Sequence, residues 1–349
     1  MSVTLSTSDP KARVARVVRR QGVACALLGS PLYAGLLERV AADVEAGGLS
    51  WRALEPFADW SGESAYILRF MGAVQRLALT GNAPELAPHL TAGGDAAAAW
   101  PPFQNLLARR GDEVQQLALT RPVQTNEVGR SAALAPAILW LSGGRPLRIL
   151  ELGASAGLNL RWDAYRYEDA WGDPSSPVKL ERRYEERRPP FDPAEVEIVE
   201  RRGCDARPVD PSTEEGRLTL LSYVWPDQAE RVELLRRALE LAPTLPAPVD
   251  EAPAAEWLEH ELAKPAPKGV ATVVLHSVFW HYLDQGEQAR IRAALDETGR
   301  RATRDTPFAW LRMDAEREMT RVDATCWPGG ESRLLARAGY HGRPVRWLA

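Results

Sequence analysis

Four positions in one short run could do chemistry together: Glu151, Gly153, Ser155 and Gly157, within Leu147 to Leu160, LRILELGASAGLNL. An apolar strand ends on an acid, three small residues follow at every second position, and a helical pattern begins. Small residues at such a turn let the backbone approach a ligand that a larger side chain would hold off. In one reading this is the loop of an adenosine-containing cofactor. Gly153 makes the turn, Ser155 allows close approach, and Gly157 packs a helix on the strand and presents free amides at its N-terminus. Asn159 closes the loop. Glu151 stands at the carboxyl end of the strand, where open α/β sheets bind ligands. A carboxylate there suits the ammonium and sulfonium of S-adenosylmethionine and repels the pyrophosphate of a dinucleotide. Position 158 is Leu, so the third glycine of G-x-G-x-x-G is also missing.

The same letters spell G-x-S-x-G, the nucleophile elbow of a hydrolase. Ser155 would then attack, Asp205 or Asp250 would be the acid, and His276 or His341 the imidazole, in the order Ser, acid, His. Three features oppose this. The upstream half reads as helical, no HGGG-like segment precedes the elbow, and Glu151 would repel a developing oxyanion. A glycine turn with no ligand is the third reading.

His276 follows an apolar strand, with Ser277 and Trp280 beside it as pocket candidates. An imidazole there could take a proton or orient a substrate; the plainer alternative is a core histidine satisfied by backbone. Trp280 is one of 12 tryptophans. Core packing explains most of them, yet an aromatic face also suits a sulfonium or a planar substrate. His281 lies five residues beyond His276, off any shared helix face. With no HExxH and no Cys/His cluster, no metal site is expected. Asn126, Glu127 and Arg130 open the helix before the first strand. Capping explains the first two, while their place near the sheet edge makes all three candidates for cofactor or substrate contact.

These residues need a sheet to hold them. About 125 residues of helical pattern come first: Lys11 to Cys25, Pro31 to Val44, Ala65 to Thr80 (led in by Ser61 to Ser64), and Phe103 to Leu119 after Pro101-Pro102. A helix from Asn126 to Leu141 then feeds the strand Leu147 to Leu152. Beyond it, strand and helix patterns alternate. Strands are expected at Val196–Glu200, Val270–Leu275, Phe308–Arg312, Thr320–Cys326 and Pro344–Leu348. Helices are expected at Leu158–Tyr165, Asp227–Leu241, Ala254–Ala263 and Gln285–Thr298. The polar stretch Tyr167 to Pro190 reads as an insertion, near 166–195, with a small hairpin around Pro177 to Leu180. The fold class is therefore α/β: a mostly parallel, Rossmann-like sheet over 126–349, closed by an antiparallel strand and preceded by an α-helical domain over 1–125.

Bulk properties narrow the setting. The 349 residues are 45% apolar and 26% charged with net charge −4, so nothing pulls the chain toward nucleic acid or anionic membrane. Three dispersed cysteines form no CxxC and suit a reducing cytoplasm. The basic start before Val23 to Leu28 is too short of apolar residues for a signal peptide, and no window approaches a membrane span.

Several longer motifs carry a resemblance: QTNEVGRSAALAPAILWL from Gln124, RILELGASAGLNL, WPDQAER from Trp225, VLHSVFWHYL from Val274, and WPGGESRLLARAGYHGRPVRWL from Trp327. Together they resemble an uncharacterised bacterial family, the domain-of-unknown-function family 2332. The resemblance implies a helical N-terminal region joined to a methyltransferase-like Rossmann domain, and no particular substrate. The segment Gly203-x-Asp205-x-x-Pro208 is also similar to the methyltransferase acid that holds the ribose. About 50 residues separate it from the loop, against roughly 20 in simpler Rossmann folds, so the insertion must loop out. Asp250 is the counterpart, by order, of the acid near the adenine. His276 corresponds to the position facing the transferred methyl. What this implies is S-adenosylmethionine as cofactor, S-adenosylhomocysteine as product and a small-molecule acceptor.

Overall fold

Apolar residues three and four apart turn the first part of the chain into helices. They are α1 (Pro10–Leu27), α2 (Pro31–Glu45), α3 (Leu49–Leu54), α4 (Tyr66–Leu79) and α5 (Ala96–Thr120). The computed structural model describes residues 9–60 and 65–349; Ser61 to Ser64, read as the lead-in to α4, lie outside the described residues. Pro10 and Pro31 occupy first helical positions behind the side-chain caps Asp9 and Ser30. Helix α5 starts earlier than its prolines predict, with Pro101 and Pro102 inside it. The Asp95 cap on Ala98 N and the burial of Ala99 and Phe103 outweigh the hydrogen bonds the prolines remove.

This helical unit takes Met1–Thr125, as far as described, together with Glu214–Glu233. The second segment was expected in the sheet domain. It contains α7 (Glu214–Ser222) and the WPDQAER motif. Asp227 accepts from Ser30 Oγ at 2.6 Å and from Leu32 N at 3.0 Å, fastening the start of α2, and Trp225 joins the helical core beside Tyr33. That motif is thereby explained as structure.

The second unit takes Asn126–Thr213 and Leu234–Ala349. In chain order it holds α6 (Ser131–Ser142), β1 (Leu147–Leu152), the short β2 (Arg166–Tyr167) and β3 (Lys179–Leu180), and β4 (Ile198–Asp205). After α8 (Ala229–Leu241), inside which the unit boundary falls, come β5 (Val249–Glu251), α9 (Ala254–Ala263), β6 (Ala271–Ser277) and α10 (Gln285–Arg301). Strands β7 (Phe308–Glu316), β8 (Met319–Trp327), β9 (Glu331–Ala338) and β10 (Val345–Trp347) finish it. Eight of these strands make one sheet, in the order β10-β9-β8-β7-β6-β1-β4-β5. Strands β5, β4, β1, β6 and β7 run parallel, and β8, β9 and β10 add an antiparallel meander where a single closing strand was expected. The chain leaves β1 to build outward on one side through β4 and on the other through β6. That reversal is a topological switch point, and crevices for ligands open at the carboxyl ends of such strands.

Pleating decides which face each residue serves. Leu150, Leu152, Cys204 and Val274 pack against α9 and α10. Their register mates His276 and Arg312 share that face. Ile149, Glu151, Leu275 and Ser277 point to the other face, covered by α6, whose apolar residues run all round it and are buried.

Local departures matter for the site. The helix expected from Asn126 begins only at Ser131; the chain is extended at Glu127 and turns once at Val128–Arg130. The helix expected at Leu158–Tyr165 is a 3₁₀ stretch, Asn159–Ala164, bent at Arg161. Strand β4 runs on to Asp205, past the expected end at Glu200. The hairpin expected near Pro177 is a parallel pairing of β2 with β3.

Candidate functional site

The loop after β1 is closed by its own surroundings. Ala154 N donates to Cys204 O at 2.9 Å and Gly157 N to Ala154 O at 2.8 Å. Ser155 N donates to Asp205 Oδ2 at 3.0 Å, and Ala156 N and Leu158 N both donate to Asn126 Oδ1, at 3.2 and 2.8 Å. The free amides expected at Gly157 are therefore absent, since a buried amide left without a partner would cost about 1–3 kcal/mol. The buried Arg161 guanidinium holds the carbonyls: Nη1 donates to Ala156 O and Gly157 O, and Nε to Leu245 O. Asn126 clamps the loop from extended chain, in place of the expected first helical turn. Glu127 accepts from Gly129 N. Asn159 Oδ1 accepts from Ser131 Oγ at 2.8 Å, while its Nδ2 is buried with no partner among the described residues.

Gly153 turns out of β1 at φ +68. A Cβ there would lie 2.2 Å from Phe279 Cδ2, so the Phe279 ring rests directly on the glycine backbone. Phe279 follows Val278, which ends the β6 excursion at φ +51; Ser155 has φ +53. Positive φ is costly for a β-branched residue. Both loops that border the switch point thus carry a left-handed non-glycine residue, a form of local strain that concentrates at functional positions.

Glu151 lies beneath this junction, 1% exposed, with Oε2 unpartnered among the described residues. Burial pushes its carboxyl up to about 8; Arg130 and Arg161 oppose the shift and Asp205 reinforces it. With no added cation nearby it is a neutral acid at pH 7, where the sequence suggested a standing carboxylate. Arg130 ties the same face together. Its Nη1 donates to Ser277 O at 3.0 Å and Ser277 Oγ at 3.3 Å, and its Nε to Tyr340 O at 3.1 Å. A Cβ on Gly342 would sit 1.8 Å from Gly129 O, so the NEVGR and YHGR motifs meet backbone to backbone.

His276 belongs to the other face. It is fully buried among Phe279, Trp280 and Trp310. Its Nε2 lies 3.2 Å from Asp314 Oδ2, but out of line for a hydrogen bond, and neither ring nitrogen has an aligned partner among the described residues. Burial, reinforced by Arg312, pulls its pKa down to about 3. Burial, reinforced by Asp323, lifts Asp314 to about 6, although the Trp280 N–H opposes this. Trp280 packs edge-on to His276 and under Arg292.

The two candidate acids separate in the same way. Asp205, partly exposed, follows Gly203, the register mate of Glu151, and holds Ser155 N and Arg207 N. Asp250 pairs in register with Cys204 on the α9 face, where it accepts from Arg202 and from Trp257 Nε1, both at 2.7 Å. Asp250 is thereby a strut, away from the Glu151 face. The structure gathers Asn126, Arg130, Glu151, Ser155, Asn159, Asp205 and Ser277 around the loop and the α6 face. It sets His276, Trp280 and Asp250 on the opposite face, and Phe279 touches both sets. Phe279, Arg161 and Asp314 went unread; the signal for Arg161 was a lone cation four residues after Gly157 in the apolar run LNLRW. Among the described residues no group of His, Cys, Asp or Glu is arranged to hold a metal ion, and no helix is long and apolar enough to cross a membrane.

The family described as an uncharacterized protein conserved in bacteria (DUF2332) matches residues 15–347, and the chain belongs to that family. No curated protein and no solved structure matches the chain.

Proposed function

We propose that the chain is an S-adenosylmethionine-dependent methyltransferase-like protein acting on a small molecule. One observation carries the reading: a fully buried glutamic acid with an uncommitted oxygen stands at the carboxyl end of β1, at the switch point of a parallel sheet. Such an acid is stable as a neutral group and becomes a strong counter-ion when a cation arrives in low dielectric. Bound there, S-adenosylmethionine would supply an activated methyl group. Glu151 would balance its positive end, and Asp205, at the rim, would take ribose hydroxyls. Asn126 and Arg161 hold the loop in shape, and Arg130 holds the end of β6. Phe279 rests on Gly153 and has to withdraw for a ligand to reach the loop; once displaced it remains an apolar wall that excludes water. His276 is a neutral imidazole of low basicity, buried on the opposite face of the sheet, so this reading gives it no proton to move.

That low basicity favours a second reading, an adenosyl-ligand-binding or scaffold protein without turnover. Transfer of labelled methyl from the donor to a metabolite extract would exclude it. The test of the main reading is isothermal titration with S-adenosylmethionine and S-adenosylhomocysteine across pH 6 to 9. Binding a cation forces Glu151 to release its proton, so affinity should rise with pH, by up to about tenfold per unit below about pH 8, and then level. No binding of either ligand at millimolar concentration would sink the proposal.

A further inference from the structure

At the amino-terminal edge of the sheet, opposite the switch-point loops, lies a cavity of about 300 Å³. Its floor is made by three register mates on neighbouring strands: Arg148 on β1, Thr272 on β6 and Phe308 on β7. The ends of α9 and α10 wall it, bringing Lys264 and Arg301. Every charged side chain in the lining is a cation, and its other polar side chains are the threonines Thr272, Thr298 and Thr306. The rest is apolar, including Leu262, Pro265 and Pro307.

The cations are fixed from behind. Arg148, its side chain 4% exposed, gives Nε to Glu200 at 2.6 Å and Nη2 to the buried Glu261 at 2.9 Å. Lys264 Nζ also reaches Glu261, at 2.5 Å, and Arg301 Nη1 lies 3.8 Å from Glu297. Glu200 and Glu261 hold Arg148 and Lys264 in place, the preorganisation a specific site requires, while Arg301 stays largely exposed at the rim. A volume near 300 Å³ is about twice that of an apolar cavity known to hold benzene. Cationic and hydroxyl groups with no carboxylate among them, set around an apolar body, favour an amphiphilic anion, and guanidinium favours the planar carboxylate.

We propose that this cavity binds a small carboxylate with an apolar body, at a site separate from the switch-point crevice and independent of the methyltransferase reading. The probe is hexanoate, titrated calorimetrically into the full chain, with hexylamine and inorganic phosphate as comparisons. Hexanoate should bind, hexylamine should not, and phosphate should bind more weakly. Added salt should weaken the interaction. Arg301→Glu, a surface change, should weaken hexanoate binding by about threefold to tenfold, as expected for a charged partner at an exposed position. Ala302→Trp, which fills the cavity, should abolish binding, with circular dichroism checking that both variants fold. Three results would overturn the proposal: no hexanoate binding by the native chain, undiminished binding in folded Ala302→Trp, or phosphate bound as tightly as hexanoate.

Discussion

At the scale of single residues, Glu151 and His276 are two buried ionisable groups whose shifts act in opposite directions on stability. The carboxyl of Glu151 has its ordinary value near 4.5 in the unfolded chain and about 8 in the folded one. Below pH 4.5 both states hold the proton and its stabilising contribution is complete. As pH climbs from 4.5 to 8 the unfolded chain ionises and the folded one does not, so stability drains away at up to about 1.4 kcal/mol per pH unit and levels above 8. Glu151→Gln never ionises. Relative to native protein it should therefore gain stability across that window, by a few kcal/mol at pH 8. Urea denaturation at pH 5, 6.5 and 8 reads this directly; parallel curves for the two proteins would mean that the acid is already ionised and paired in the folded state. His276 runs the other way. Its folded value of about 3 lies below the ordinary 6.5, so its contribution is complete above 6.5 and is lost as pH falls toward 3. The comparison with Glu151→Gln removes this background, because both proteins carry the same histidine.

At the scale of elements, the loops after β1 and β6 are coupled through a single contact, the Phe279 ring on Gly153. Gly153→Ala should cost about 2–4 kcal/mol, combining a left-handed backbone with a clash against the ring. In a Phe279→Ala background the clash is gone and the same substitution should cost only the backbone part, about 1–2 kcal/mol. A double-mutant cycle by denaturant unfolding therefore expects a coupling of at least about 1 kcal/mol. Strict additivity would show that the two loops are energetically separate. This contact also marks how far the sequence could be read. The strand ending at Leu152, the small-residue turn and helix α9 were legible because each is written locally, as an apolar run, a spacing or a helical period. The closing of the loop was not, because its partners come from afar: Asn126, Asp205, Arg161 and Phe279 are brought in by tertiary packing. Pleat parity likewise placed Glu151 and His276 on opposite faces, and parity follows from register, which no local pattern shows. Strand β5 escaped because it is three residues between proline-rich turns, and β9 because ESRLLARA shows neither strict alternation nor a β-branched run.

At the scale of the whole molecule, the chain passes between its two units three times, after residues 125, 213 and 233. The helical unit is therefore discontinuous, and its first 125 residues are not a complete folding unit. What they lack is specific. Asp227 holds the amide and cap at the start of α2, Gln228 Nε2 donates to Leu28 O, Trp225 fills part of the helical core, and Glu215 pairs with both Arg76 and Arg121. Tyr223 lies on Gly72 so closely that a Cβ there would meet its ring at 2.5 Å. Without the return segment, α4 keeps its packing on α5 but loses α7, and the part of its apolar face that α7 covers is left open. Residues 1–125 expressed alone should thus show helical circular dichroism but a broad, weakly cooperative thermal transition and binding of a hydrophobic dye, the marks of secondary structure without fixed packing. Joining 214–233 to that fragment through a flexible linker should restore a sharp transition, whereas Asp227→Ala in the joined chain should lower stability by about 1–2 kcal/mol through loss of the cap. A fragment 1–125 that unfolds sharply without the segment would show that the helices complete their own core, and that the WPDQAER motif must then be explained by something other than fastening α2.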